Sequence, residues 1–111
     1  MYSQAVKAGG FVFVSGMTGI DPLTGELAGA SIGEQAARAI RNCEAILHAA
    51  GASLADVVEV QVLLADPADF AGFNAAYAPF FQAQPPARSV AQLGVRLPGV
   101  RVSVRMVATA P

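Results

Sequence analysis

Among the ionisable side chains of this 111-residue sequence, Arg88 is the one best placed for chemistry. It follows Pro85-Pro86-Ala87 and precedes Ser89. The proline pair stiffens the backbone while the guanidinium stays free to grip a carboxylate through two parallel charge-assisted hydrogen bonds. The alternative for such an arginine is an ion pair with an acid of the N-terminal half. Charge distribution sharpens the choice: residues 1–69 hold all eight acids and the bases Lys7, Arg38 and Arg41, whereas residues 70–111 hold Arg88, Arg96, Arg101 and Arg105 and no acid.

The other reactive types are less well placed. Cys43 is the single cysteine and falls on an apolar helical stripe, so it reads as a small buried hydrophobe. It has no partner for an internal disulfide and no His or Cys nearby at metal-ligand spacing, so no metal site is expected. His48 suits the C-terminal end of a helix dipole and has no triad context. Neither Gly9-Gly10 nor the segment from Gly16 to Gly25 matches a phosphate-binding loop, and no cofactor is expected.

The elements that must position Arg88 follow from periodicity. Tyr2 to Lys7 is extended, Ala8-Gly9-Gly10 offers a hairpin turn, and Phe11 to Ser15 is a β-branched and aromatic strand. Ser31 and Glu34 have capping-box spacing and open a helix whose stripe is Ala36, Ala39, Ile40, Cys43, Ile46, Leu47 and Ala50. Glu34 with Arg38 and Glu44 with His48 are spaced for weak surface pairs. Val58, Val60, Val62 and Leu64 alternate in a third strand.

Asp66-Pro67 then caps a second helix with Phe70, Phe73, Tyr77, Phe80 and Phe81 on its buried side, and Pro79 bends or ends its last turn. Ala87 to Gln92 forms a strand after the prolines, and Val100, Val102, Val104 and Met106 alternate in a final one. The order is ββαβαββ: one α+β domain over residues 1–111, with two helices on one face of a mixed sheet.

Composition adds the surroundings. The sequence is 54% hydrophobic and only 14% charged, high for a small monomer, so apolar surface is expected to be buried between subunits. No apolar run approaches the roughly 18 residues of a membrane span, and the start lacks signal-peptide character, so a soluble cytoplasmic protein with no membrane partner is expected. A net charge of −1 gives no general attraction to nucleic acid.

Tyr2-Ser3-Gln4-Ala5-Val6, Val14-Ser15-Gly16, Gly25-Glu26, Asp69-Phe70, Asn74-x-x-Tyr77-x-x-Phe80-Phe81, Pro86-Ala87-Arg88-Ser89 and Leu97-Pro98 occur in the order and near the spacing of the RidA/YjgF family, which the sequence resembles along essentially its whole length. The resemblance implies a homotrimer of chorismate-mutase-like fold with ligand clefts between subunits. It further implies hydrolysis of 2-imino and enamine acids to 2-oxo acids and ammonia without a cofactor. In that scheme Arg88 holds the ligand carboxylate. Tyr2, Ser15, the Gly16 backbone, Asn74 and the Val90 backbone line the cleft, and the hydroxyls of Tyr2 and Ser15 are candidates for orienting water.

The sequence departs from that family in one decisive place. Active members carry a glutamate on the last strand facing the ligand, and anchoring on Leu97-Pro98 and Val107-Ala108 puts Ser103 there. A slip in alignment restores nothing, because no acid follows Asp69. A serine hydroxyl can hydrogen-bond a water but is no base at neutral pH without a neighbour to take its proton. Val90 and Met17 stand where the family often has cysteine and glutamine, which makes the pocket less polar. The chain also begins almost at Tyr2, without the leader that usually precedes this segment, so either a frayed first strand or a shortened N-terminus is expected.

Two functions stay open on these grounds: an imine deaminase of low or narrowed activity, and a trimer that captures a small carboxylate without turnover. Ribonuclease activity, attached to some members of the family, fits poorly with one histidine and a net negative charge. Its only support is Arg96, Arg101 and Arg105, which pairing with acids of a neighbouring subunit would explain equally well.

Overall fold

A computed structural model describes residues 1–110. The order of elements is the expected one: β1 (Ala5–Ala8), β2 (Phe11–Val14), α1 (Ile32–Ala49), β3 (Val57–Leu64), α2 (Phe70–Tyr77), β4 (Ala87–Gln92) and β5 (Val102–Thr109). The strands form one mixed sheet in the order β1-β2-β5-β3-β4. Only β3 and β4 run parallel, because α2 crosses over between them; the other neighbours are antiparallel. No helix among the described residues is long and apolar enough to cross a membrane.

The β1–β2 hairpin turns through Gly9 and Gly10, both at positive φ (60° and 82°), where a side chain would be strained. α1 starts as its sequence predicts: the Ser31 hydroxyl accepts from the Glu34 N–H at 3.1 Å, and the Glu34 carboxylate accepts in return from the Ser31 N–H. Its apolar stripe packs Ala36, Ala39, Ile40, Cys43 and Leu47 against Val12 and Val14 of β2, Val60, Val62 and Leu64 of β3, and Val102, Val104 and Met106 of β5. α2 adds Phe73 and Tyr77 to the same core. Both helices therefore lie on one face of the sheet. On the other, Phe11 and Phe13 stay about two-fifths exposed, with ring centroids 6.3 Å apart.

Several expectations need correction. β2 ends at Val14, with the Ser15 N–H still donating to the Gln4 carbonyl in line with the β1–β2 register, and β5 begins at Val102 because the Val100 N–H is drawn into a turn by the Leu97 carbonyl. Val58 is exposed, because a register irregularity between Val57 and Glu59 shifts it off the buried face. Asp66 does cap the second helical segment, accepting from the Ala68 N–H at 2.9 Å. That segment, however, is a 3-10 turn (Pro67–Asp69), then α2, then a second 3-10 turn (Ala78–Phe80) where Pro79 tightens the end. Phe70, expected in the core, is 47% exposed at the first turn of α2. The surface pairs also differ: Arg41 meets Glu44 at 2.7 Å, and Arg38 bonds Asn42 rather than Glu34.

Candidate functional site

Arg88 lies on β4, an edge strand, opposite Val60 of β3. Val60 is fully buried on the helix side of the sheet, so Arg88 projects to that side as well, toward α2. There its Nη1 donates to Asn74 Oδ1 at 2.8 Å, and its guanidinium carbon stands 4.9 Å from the Tyr77 ring centroid and 6.0 Å from those of Phe70 and Phe73. The charge is thus seated on aromatic faces, an arrangement worth about 0.5–1 kcal/mol at a partly exposed site, and is steered by one amide oxygen. Three ion pairs form among the described residues, Arg41–Glu44, Arg101–Asp69 and Arg105–Glu59, and none involves Arg88. The alternative reading of Arg88 as an ion-paired structural arginine therefore finds no partner among the described residues.

Asn74 and Tyr77 are brought to Arg88 by helical spacing, since residues three apart on α2 share a face. Asn74 was anticipated as part of the site, whereas Tyr77 was read as core alone. It is both: 8% exposed, stacked at 5.5 Å on Phe73 and 4.9 Å on Phe81, and carrying the guanidinium on its ring. Its hydroxyl is buried with no hydrogen-bond partner among the described residues. Burial pushes the Tyr77 phenol above its ordinary pKa, and the nearby Arg88 charge pulls it partly back. The spacing Asn-x-x-Tyr was the available signal.

The remaining candidates gather elsewhere. Tyr2, Gly16 and Ser103 line one open pocket with Met17, Thr18 and Leu97. Ser15 belongs to the same corner, its hydroxyl donating to the Ser3 carbonyl at 2.6 Å, which commits its proton to the backbone. Gly16 runs close to Ser103 there: a Cβ would come within 2.9 Å of Ser103 Oγ and make that hydroxyl turn aside. Ser103 pairs with Leu63 between the buried Val102 and Val104, so it faces the side of the sheet away from the helices. The structure thus brings Arg88, Asn74 and Val90 to one side and Ser103 to the other, with β3 between their strands.

Cys43 behaves as expected. It is fully buried, its Sγ lies 3.4 Å from the Val104 carbonyl oxygen, and burial pushes its thiol up to about 12, which removes it from nucleophilic chemistry. No cluster of three or more His, Cys, Asp or Glu able to hold a metal occurs among the described residues. Two of the three arginines of the C-terminal cluster pair within the chain, Arg101 with Asp69 at 3.0 Å and Arg105 with Glu59 at 3.4 Å, while Arg96 lines an open surface pocket.

Sequence reasoning missed Gln35 altogether. It sits fully buried on α1, where its amide nitrogen donates to the carbonyls of Gly29 (3.0 Å) and Gly99 (2.9 Å) and its oxygen accepts from the Arg101 N–H at 2.8 Å. A polar residue beside an apolar stripe reads as the solvent side until the loops that cover it are known.

Against known proteins, the family model described as Endoribonuclease L-PSP, the family also called RidA/YjgF, matches residues 1–110. The chain belongs to the RidA/YjgF family. A RutC family protein of Pyrococcus abyssi is 50% identical over 97 residues, covering 87% of this chain and 76% of that one. The 2-iminobutanoate/2-iminopropanoate deaminase of Mus musculus is 39% identical over 107 residues, covering 96% of this chain and 79% of that protein. The crystal structure of E. coli TdcF with bound serine superposes with a TM-score of 0.92 at 35% identity, over all of this chain and 89% of the other. The α+β architecture of this chain, a mixed sheet with two helices, is thus that of the RidA/YjgF proteins.

Proposed function

We propose that the chain binds a small carboxylate-bearing imine, enamine or 2-oxo acid at Arg88, in a cleft completed by a second copy within a homotrimer of chorismate-mutase-like fold. The observation that carries this reading is an arginine anchored on Asn74 and Tyr77 with no acid on its guanidinium. A fork held at its base and open at its tip is suited to an external carboxylate. Geometry supports a second copy. Arg88 and Ser103 lie on opposite faces of one sheet, so a ligand that met both kinds of residue would sit between two protomers.

The reaction suited to such a site is hydrolysis of a 2-imino acid. Water adds to the C=N carbon, the nitrogen leaves as ammonia, and a 2-oxo acid remains. No redox partner is needed, and the protein must hold the carboxylate and place one water. The mouse relative's name as a 2-iminobutanoate/2-iminopropanoate deaminase and the serine bound to TdcF both support this substrate class. A ribonuclease reading has less behind it: His48 lies on the last turn of α1, and two of the three arginines Arg96, Arg101 and Arg105 are engaged with acids.

A second reading, capture without turnover, is favoured by Ser103, which stands at the family's glutamate position and has no acid beyond Asp69 to help it. Two measurements separate the readings. Titration with 2-oxobutyrate is expected to saturate in the wild type and to vanish in Arg88→Ala; unchanged binding in that variant excludes this site. Loss of freshly generated 2-iminopropionate faster than in buffer supports hydrolysis, and a rate equal to buffer leaves capture alone. Ser103→Glu is expected to raise the rate if the cleft is assembled as proposed.

A further inference from the structure

Beside Arg88 runs a groove of about 390 Å³ lined by Leu64, Pro67, Phe70, Val90, Ala91 and Gln92. Its volume lies within the range of about 300–1,000 Å³ usual for small-molecule sites. Two of its walls belong to the Arg88 environment. Phe70 is one of the rings beneath the guanidinium, and Val90 is the next residue of β4 on the same face, about 7 Å along the strand. Phe70 is also the aromatic that sequence periodicity placed in the core and that the structure leaves 47% exposed. A large ring kept at the rim of an apolar groove, next to a cation without a counterion, fits a ligand that has a charge at one end and a hydrocarbon at the other.

We propose that this groove receives the side chain of the carboxylate ligand, so that the preferred substrate or ligand class is a 2-imino or 2-oxo acid with a branched aliphatic or aromatic side chain, and that Val90 sets this preference. The proposal rests on the reading of Arg88 as the carboxylate anchor. Leu64, Pro67, Phe70, Val90 and Ala91 offer hydrocarbon, and Gln92 is the one polar side chain of the lining. A short or hydroxylated side chain would leave that apolar surface uncovered, while a branched chain removes it from water.

Calorimetric titration of the full chain with pyruvate, 2-oxobutyrate and 4-methyl-2-oxopentanoate tests the proposal, because the three acids share a head group and differ only in hydrocarbon. Affinity is expected to rise along the series, by about tenfold from first to last for partial burial of three added carbons. Val90→Asn is expected to pull that ratio toward one, and Arg88→Ala to abolish binding of all three. Equal affinities that still depend on Arg88 overturn the groove proposal and leave the anchor intact, as they would if a second copy of the chain filled the groove. Absence of Arg88-dependent binding for every acid overturns both. The chain-length series in the wild type decides the matter even if Val90→Asn folds poorly.

Discussion

Arg88 and Arg101 come from the same acid-free half of the sequence, yet the fold treats them in opposite ways. Arg101 gives its backbone N–H to Gln35, its Nε to the Ala30 carbonyl at 2.7 Å and its Nη1 to the Asp69 carboxylate. Its backbone, Nε and Nη1 all have internal partners, and Asn42 ties down another loop in the same manner by donating to the carbonyls of Thr18 and Ile20. Around Arg88 the accounts are open: one amide bond, aromatic faces, an unpaired phenol beneath and an exposed phenylalanine beside it. A region that satisfies itself holds the fold together. A region left unsatisfied next to an apolar groove is available to something from outside.

The largest effect should come from the satisfied side. Gln35→Ala strands two carbonyls and one N–H under the loops, and with each orphaned buried group costing about 1 kcal/mol or more, a loss of about 3 kcal/mol is expected in urea unfolding. Gln35→Leu, which keeps most of the volume, should lose nearly as much, because the deficit lies in hydrogen bonds rather than in a cavity. A loss below about 1 kcal/mol in both variants would mean that the clamp is idle and the contrast overstated.

This clamp also marks where sequence reasoning stops. Elements fixed by local chemistry were legible: the Ser31/Glu34 capping box, the glycine hairpin, the effect of Pro79 and the order ββαβαββ all depend on neighbours in the chain. Gln35 was not, because its partners Gly99 and Arg101 are more than sixty residues away and no local pattern predicts a loop closing over a helix. The exposure of Phe70 and Val58 escaped for the same reason. Whether an aromatic at the first turn of a helix is covered depends on what the edge strand beside it carries, and a register shift in a strand moves a side chain with no change in composition. At the site, proline context made Arg88 a candidate and family resemblance gave it and Asn74 their roles, but the role of Tyr77 was hidden by its suitability for the core.

The two arginines can be compared directly. Arg101→Met removes a half-exposed ion pair and a bond to a loop carbonyl, and is expected to cost about 1–1.5 kcal/mol in unfolding free energy. Arg88→Met, which keeps an apolar stem over Phe70 and Phe73 but gives up the cation–aromatic contacts, should cost about 0.5–1 kcal/mol, less than Arg101→Met, while removing carboxylate binding. Equal losses of stability in the two variants would show that Arg88 is a structural residue after all. A larger loss for Arg88 than for Arg101 would reverse the comparison.

The smallest effect tests the unpaired phenol. In Tyr77→Phe the ring under Arg88 and its stacking on Phe73 and Phe81 remain, and only the buried hydroxyl without a partner is lost. Removing such a group relieves a desolvation penalty, so stability should stay level or rise by up to about 1 kcal/mol. The pH dependence gives an independent reading. Burial raises the folded-state pKa of this phenol, so in alkali the unfolded chain ionises first and gains. The wild type should therefore lose stability as pH rises past the ordinary phenol value near 10, and Tyr77→Phe should lose less over the same interval. If the variant is instead less stable at neutral pH by about 1 kcal/mol, the hydroxyl has a partner in solution, most simply a water, and the open accounts around Arg88 are one fewer than the structure shows.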